Sequence, residues 1–148
     1  MQYHHMTTES IIFAEASLSD LAEIRQFIEE KSLEIGSSDD VASDLVLAVN
    51  EGVTNIIIHG YESRPGFVAV SIERDGADII ISLRDMGASF DPNSISAPDT
   101  TIPLEMRKPG GMGIHMMRSL VDEMKYQRTV DGESVLKMVK RRAVELAD

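Results

Sequence analysis

Glu51 and Asn55 stand one helical turn apart in the apolar run from Asp44 to Gly60, so the two polar side chains share one face. A carboxylate and a carboxamide together suit a cation and a water. The amide oxygen of Asn55 is a hard ligand of the kind Mg²⁺ accepts while it keeps several waters and takes phosphate oxygens. Glu51 can accept a proton from an attacking hydroxyl or water. Taken alone the pair reads as a solvated helix edge; two later segments give it weight. Asp85-Met86-Gly87-Ala88-Ser89-Phe90-Asp91-Pro92 comes directly after an apolar strand. It puts an acceptor carboxylate, Asp85, where Gly87 lets a loop backbone approach a flat ligand, and an adenine amino group suits that acceptor. Gly110, Gly111 and Gly113 open a helix, where backbone amides and the helix N-terminus favour an anion such as phosphate.

The elements that must hold these groups can be placed by periodicity. Ser10 to Ala16 reads as a strand, and Ser17 to Asp20 supplies caps for a helix over about Leu18 to Ile35, with Leu21, Ile24, Phe27 and Ile28 at helical spacing and Gly36 at its end. A polar break at Ser37 to Asp40 precedes the helix that carries Glu51 and Asn55, from about Asp40 to His59. Phe67 to Arg74 and Asp78 to Asp85 alternate with period two around Asp75-Gly76, a hairpin signal. Residues 92–109 hold four of the five prolines and little periodicity, as a lid or binding loop would. A helix from Met112 to Glu123 and a hairpin of Met124 to Thr129 with Ser134 to Lys140 complete the chain.

This order predicts an α+β, two-layer α/β sandwich, with helices on one face of a mixed, mostly antiparallel sheet. It does not alternate strand and helix, which excludes a Rossmann domain, and no Gly-Lys-Ser or Gly-Lys-Thr comes after the glycines, which excludes a P-loop.

The 148 residues suit one domain spanning 1–148. Hydrophobic residues make up 43% and charged residues 26%, and no stretch approaches the roughly 18 uninterrupted apolar residues of a membrane span, so neither a membrane nor a secretory signal is expected. The absence of cysteine excludes disulfides and thiolate chemistry and agrees with a cytoplasmic location. A net charge of -11 argues against direct nucleic-acid binding and fits a basic protein partner better, besides favouring solubility. Met112, Met116, Met117 and Met124 read as core filling, His4 and His5 as part of a loose terminus, and Arg107 and Lys108 as solvated lid charges.

Three of these segments carry a family resemblance. Glu51…Asn55 resembles the N box, Asp85-x-Gly87-x-Ser89-Phe90-Asp91-Pro92 the first glycine box, and Gly111-x-Gly113 the second glycine box of the GHKL ATPases. The short length, the phrase Ala48-Val49-x-Glu51-Gly52-x-Thr54-Asn55…His59-Gly60-Tyr61 and the ending Ser119-Leu120-Val121-Asp122-Glu123 are most similar to the anti-sigma-factor serine/threonine-protein kinases, the RsbW-like group. The similarity runs from about Leu45 to Tyr126.

The resemblance implies a Bergerat ATP-binding fold that holds ATP and Mg²⁺ between the N-box helix and a lid at 92–109. Asn55 would hold the metal, Glu51 would be the catalytic base, Asp85 would read adenine, and Gly87, Gly110, Gly111 and Gly113 would shape the pocket. It further implies a protein that binds a sigma factor, phosphorylates a serine on an anti-anti-sigma (STAS-type) antagonist in a partner switch, and forms a homodimer. Ser89 stands where the family prefers glycine, which motivates the alternative of a catalytically weak or inactive nucleotide-binding module. A histidine-kinase catalytic domain, the third reading, would need its phosphoaccepting histidine on another polypeptide.

Overall fold

The computed structural model describes the backbone of residues 8–87 and 111–145, and the side chains of all of these except 111–114. Ser89, Gly110 and the expected lid at 92–109 lie outside the described residues, as do His4 and His5. Five strands, β1 (Glu9–Ala16), β2 (Gly66–Asp75), β3 (Asp78–Asp85), β4 (Glu123–Arg128) and β5 (Ser134–Lys140), form one sheet in the order β1-β2-β3-β5-β4. Every pairing among them is antiparallel, so the sheet expected to be mixed is antiparallel throughout its described strands.

Period-two alternation decides which side of the sheet is covered. In β2, Val68, Val70 and Ile72 are fully buried, and their partners across the register put Ile81 and Leu83 of β3, then Met138 of β5, on the same face. Three helices pack there: α1 (Leu21–Ile35), α2 (Asp39–Asn55) and α3 (Gly111–Leu120). Ile24 and Ile28 of α1, Leu45, Ala48, Val49 and Val53 of α2, and Met117 of α3 fill the layer between. The helical segment from Asp39 to Gly60 is long and apolar enough to match a membrane span by length and composition, with a mean hydropathy of 1.4. Leu45, Ala48, Val49, Val53, Ile56 and Ile57 of this segment are buried in the core of this same molecule, whereas Leu47 and Ile58 are exposed.

Local signals set the helix ends. Asp20 caps the chain entering α1, accepting the Ser17 N–H at 2.9 Å, after a single 3-10 turn at Leu18–Asp20. Gly36 at φ +116° closes α1, its N–H reaching the carbonyls of Ser32 and Leu33. Ser38 begins α2 with its hydroxyl accepting from Val41 N–H.

Two helix C-termini differ from the sequence expectation. α3 stops at Leu120 rather than Glu123 because β5 captures the chain at that point: Lys140 Nζ donates to Leu120 O at 2.8 Å, and Asp122 N–H donates to Val139 O at 2.8 Å. The N-box helix does not stay α-helical to His59; its last five residues, Ile56–Gly60, form a π turn in which Tyr61 N–H donates to Ile56 O at 2.9 Å.

The helix layer closes most tightly at Gly52. A Cβ there would lie 2.4 Å from Leu83 Cδ1 and 3.3 Å from Met117 Sδ, so α2 rides directly on β3 and α3 at that point. Leu83 and Met117 are both fully buried and have no free space to retreat into. Gly52→Ala is expected to cost about 1–3 kcal/mol through overpacking, despite the better helix propensity of alanine. Urea unfolding measures this, and an unchanged midpoint would mean that the crossing is looser than its geometry implies.

Candidate nucleotide site

The same alternation that buries Ile79, Ile81 and Leu83 carries Asp85, two residues further along β3, onto the helix-covered face. Its carboxylate is 8% exposed. Burial pushes the Asp85 carboxyl above the usual value of 3.8; the Gly87 N–H bond and the Arg128 charge pull it down, and Glu133 pushes it up. Asp85 Oδ1 accepts Gly87 N–H at 2.8 Å.

The turn Asp85-Met86-Gly87 rests on the end of the N-box helix. A Cβ at Gly87 would come within 2.9 Å of the Gly60 carbonyl oxygen and 3.2 Å of Asp85 Oδ1, so residue 87 has no room for a side chain. The close approach at Gly87 is therefore to the backbone of the helical run at Gly60. The same contact places the Asp85 turn beside the helical run that holds Asn55 one turn earlier.

Asn55 is 6% exposed, and among the described residues its Nδ2 finds no hydrogen-bond partner. Ser32 Oγ, in α1, is the other buried side-chain atom in that condition. An unmet buried amide costs about 1–3 kcal/mol, a cost that a ligand at the site would relieve. Glu51 is half-buried one turn before it. Next to Glu51, Asn50 Oδ1 accepts from Arg25 Nη1 at 2.9 Å, which brings a guanidinium from α1 to this part of α2.

Gly111 and Gly113 lie in the first turn of α3. The direction of α3 is fixed by two contacts. Lys140 joins the last carbonyl of α3, at Leu120, to Asp44 near the start of α2, with 3.4 Å to the carboxylate. Met117 meets α2 further on, at Gly52. α3 therefore runs antiparallel to α2 and aims its N-terminus toward the Asn55 end, where its first amides and positive dipole end favour an anion. Met117 is core, as expected, and Met124 packs against that core.

Sequence reasoning gave Tyr61 no role, yet it joins three parts of the site. Its ring covers Gly66, where a Cβ would fall 2.5 Å from the ring, and its hydroxyl accepts Met86 N–H at 2.8 Å while donating to Phe67 O at 2.6 Å. Burial raises the Tyr61 pKa; the Met86 bond lowers it and the Asp85 charge raises it. The available signal was the run Tyr61 to Gly66, which places an aromatic near a residue without a side chain.

Residues 14–140 match the histidine kinase-like ATPase domain family. The chain belongs to that family. Among the relatives of this histidine kinase-like ATPase domain is an anti-sigma F factor of Thermoanaerobacter sp. (strain X514), 33% identical over 99 residues, covering 66% of this chain and 68% of the relative. The serine-protein kinase RsbW of Bacillus cereus (strain Q1) is 29% identical over 119 residues, covering 75% of this chain and 72% of the relative. Among solved structures, the RsbU and RsbW domains of Rv1364c from Mycobacterium tuberculosis superpose with a TM-score of 0.64 at 20% identity, covering 96% of this chain and 34% of that one. The α+β fold anticipated from the order of elements is thus that of the GHKL-type domains, and an ATPase domain implies the use of ATP.

The raised Asp85 pKa makes a signed prediction. A carboxyl whose folded pKa exceeds its unfolded value leaves the native state with more bound protons, so stability falls as pH rises from 3.8 through the folded value and is level above it. Asp85→Asn keeps an acceptor for Gly87 N–H and removes the charge. In urea unfolding between pH 4 and pH 8, the variant is expected to gain on the wild type across that window and hold the gain above it. A difference that does not vary with pH would show that the carboxylate is unperturbed.

Proposed function

We propose that this histidine kinase-like ATPase domain is an ATP-dependent serine-protein kinase and anti-sigma factor, binding a sigma factor and phosphorylating an anti-anti-sigma antagonist in a partner switch. The observations that carry the nucleotide part are the buried Asp85 carboxylate, whose turn packs on Gly60 at the end of the helical run, and the buried Asn55 carboxamide in that same run, with its Nδ2 unmet among the described residues. The kinase and partner parts are supported by the names of the relatives, anti-sigma F factor and serine-protein kinase RsbW. A cytoplasmic location and a homodimer belong to the same reading.

In this reading Asp85 accepts the adenine amino group, and Gly87, Gly110, Gly111 and Gly113 bring backbone close to the nucleotide. Asn55 offers its Oδ1 to Mg²⁺. Among the described residues no three Asp, Glu or His side chains gather as a metal cage, and a single carboxamide suits a cation that takes its remaining ligands from phosphate and water. ATP supplies the phosphoryl group, and Mg²⁺ the charge neutralisation. Glu51 takes the proton of the attacking serine hydroxyl. Because positioning and charge neutralisation provide most of the rate in phosphoryl transfer, Glu51 acts on turnover far more than on binding.

Calorimetric titration of ATP, with and without Mg²⁺, tests the site first. Magnesium-dependent binding that Asn55→Ala weakens about ten- to a hundredfold is the expected result, since loss of a charge-assisted contact is worth about 1.5–3 kcal/mol. No binding at millimolar ATP would sink the nucleotide reading. With an antagonist protein in hand, Glu51→Ala is expected to lower phosphoserine formation by about 10²–10⁴-fold while ATP affinity holds. Tight ATP binding by the wild type without any phosphoserine would identify a nucleotide-sensing module instead.

A further inference from the structure

We propose that the Tyr61 hydroxyl positions Asp85 for base recognition, which makes Tyr61 a specificity-determining residue of the nucleotide site. The proposal rests on the reading of Asp85 as the acceptor for an adenine amino group and adds a residue that does not itself touch the base.

The register of β2 and β3 locates the phenol between two backbones. Val70 opposes Leu83, Ala69 opposes Arg84, and Val68 opposes Asp85, so the next opposed pair is Phe67 with Met86. In an uninterrupted antiparallel ladder those two backbones would bond directly to each other. Here the Tyr61 hydroxyl stands between them, accepting Met86 N–H at 2.8 Å and donating to Phe67 O at 2.6 Å. One phenolic oxygen is spliced into the ladder at the residue where Asp85 leaves the sheet. It uses its single proton on one strand and a lone pair on the other.

That splice holds β2 and β3 apart at their ends and fixes the peptide that links Asp85 to Met86. The Asp85 side chain is then tied a second time, through Oδ1 to Gly87 N–H at 2.8 Å, which leaves Oδ2 to meet a ligand's amino group. Met86 is 48% exposed, so packing alone does not restrain this turn. The phenol is itself fixed, because its ring lies over Gly66 with no space for a side chain between them. Tyr61 comes directly after the π turn Ile56–Gly60, so the same residue joins the N-box helix to the base-reading turn.

Tyr61→Phe deletes the oxygen and keeps the ring. Phe67 O and Met86 N–H then pair directly or hydrate, and either change moves Asp85. The experiment compares ATP with inosine triphosphate, which carries a carbonyl where adenine has its amino group, on wild type and Tyr61→Phe. Wild type is expected to prefer ATP. The variant should lose about three- to tenfold of that preference by weakening ATP alone, as the loss of one hydrogen bond predicts. Equal weakening of both nucleotides would overturn the proposal and leave Tyr61 a structural residue. Amide hydrogen exchange at Met86 without nucleotide separates this inference from the reading beneath it. Exchange that quickens in Tyr61→Phe supports the splice even if wild type binds the two nucleotides alike, an outcome that would overturn the base-reading role of Asp85 and the specificity role of Tyr61 with it. Unchanged exchange would overturn the splice itself.

Discussion

Gly52 and Gly87 let the N-box helix lie closer to β3 and the turn after it than side chains would permit, and the candidate site is built on that closeness. At Gly52 the helix meets Leu83 of β3 and Met117 of α3. Two turns later, at Gly60, the same run supplies the backbone oxygen on which Gly87 rests. Because the contacts join the helical run Asp39–Gly60 to β3 and to the turn at its end, the placement of Asn55 relative to Asp85 is set by closely packed backbone. A side chain at either contact would tilt one element against the other. Contacts of this kind hold polar groups in position with the accuracy that a binding site needs.

Closeness has an energetic consequence. Asn55 and Asp85 are both more than nine-tenths buried, one with an unmet amide hydrogen and the other with a carboxyl made harder to ionise. The unmet Asn55 amide costs folding free energy on the order of 1–3 kcal/mol, and the Asp85 carboxylate, although it accepts Gly87 N–H, still bears the cost of ionising where it is buried. A chain whose net stability is of the order of 5–15 kcal/mol offsets this elsewhere, here through an apolar layer running continuously from β1 across α2 to β5. A ligand that meets both groups would recover that cost on binding and couple nucleotide to stability.

Much of this was legible in the sequence because its signals are local. Alternation in Phe67 to Arg74 and Asp78 to Asp85 gave the central hairpin, and the parity of that alternation decides that Asp85 faces the helices together with Leu83. Capping residues at Ser17 to Asp20 and Ser38, and the stop at Gly36, gave helix limits to within a few residues. What escaped depends on partners far away in the chain. α3 ends early because Lys140, twenty residues on, takes the carbonyl of Leu120. The π turn at Ile56–Gly60 has no composition of its own, since three isoleucines suit an α-helix or a strand equally well, and only docking against the Asp85 turn and Tyr61 gives the wider turn a purpose. The role of Tyr61 requires knowing that residues 67 and 86 face each other, a fact of register and not of spacing.

The acidity of the chain sets a last constraint. With a net charge of -11 the protein repels an anion at long range, yet the proposed ligand is a polyphosphate. At physiological ionic strength, charges more than about 8 Å away are largely screened, so binding turns on the few groups nearest the phosphates. The fold supplies neutral donors there: the amides that open α3, whose N-terminus points toward Asn55 because α3 runs antiparallel to α2. A divalent cation held by Asn55 would add positive charge there, while the Arg25 guanidinium nearby is engaged with Asn50. In the proposed reading the acidity does not oppose a nucleotide site, because backbone amides and a metal would supply the attraction that the net charge does not.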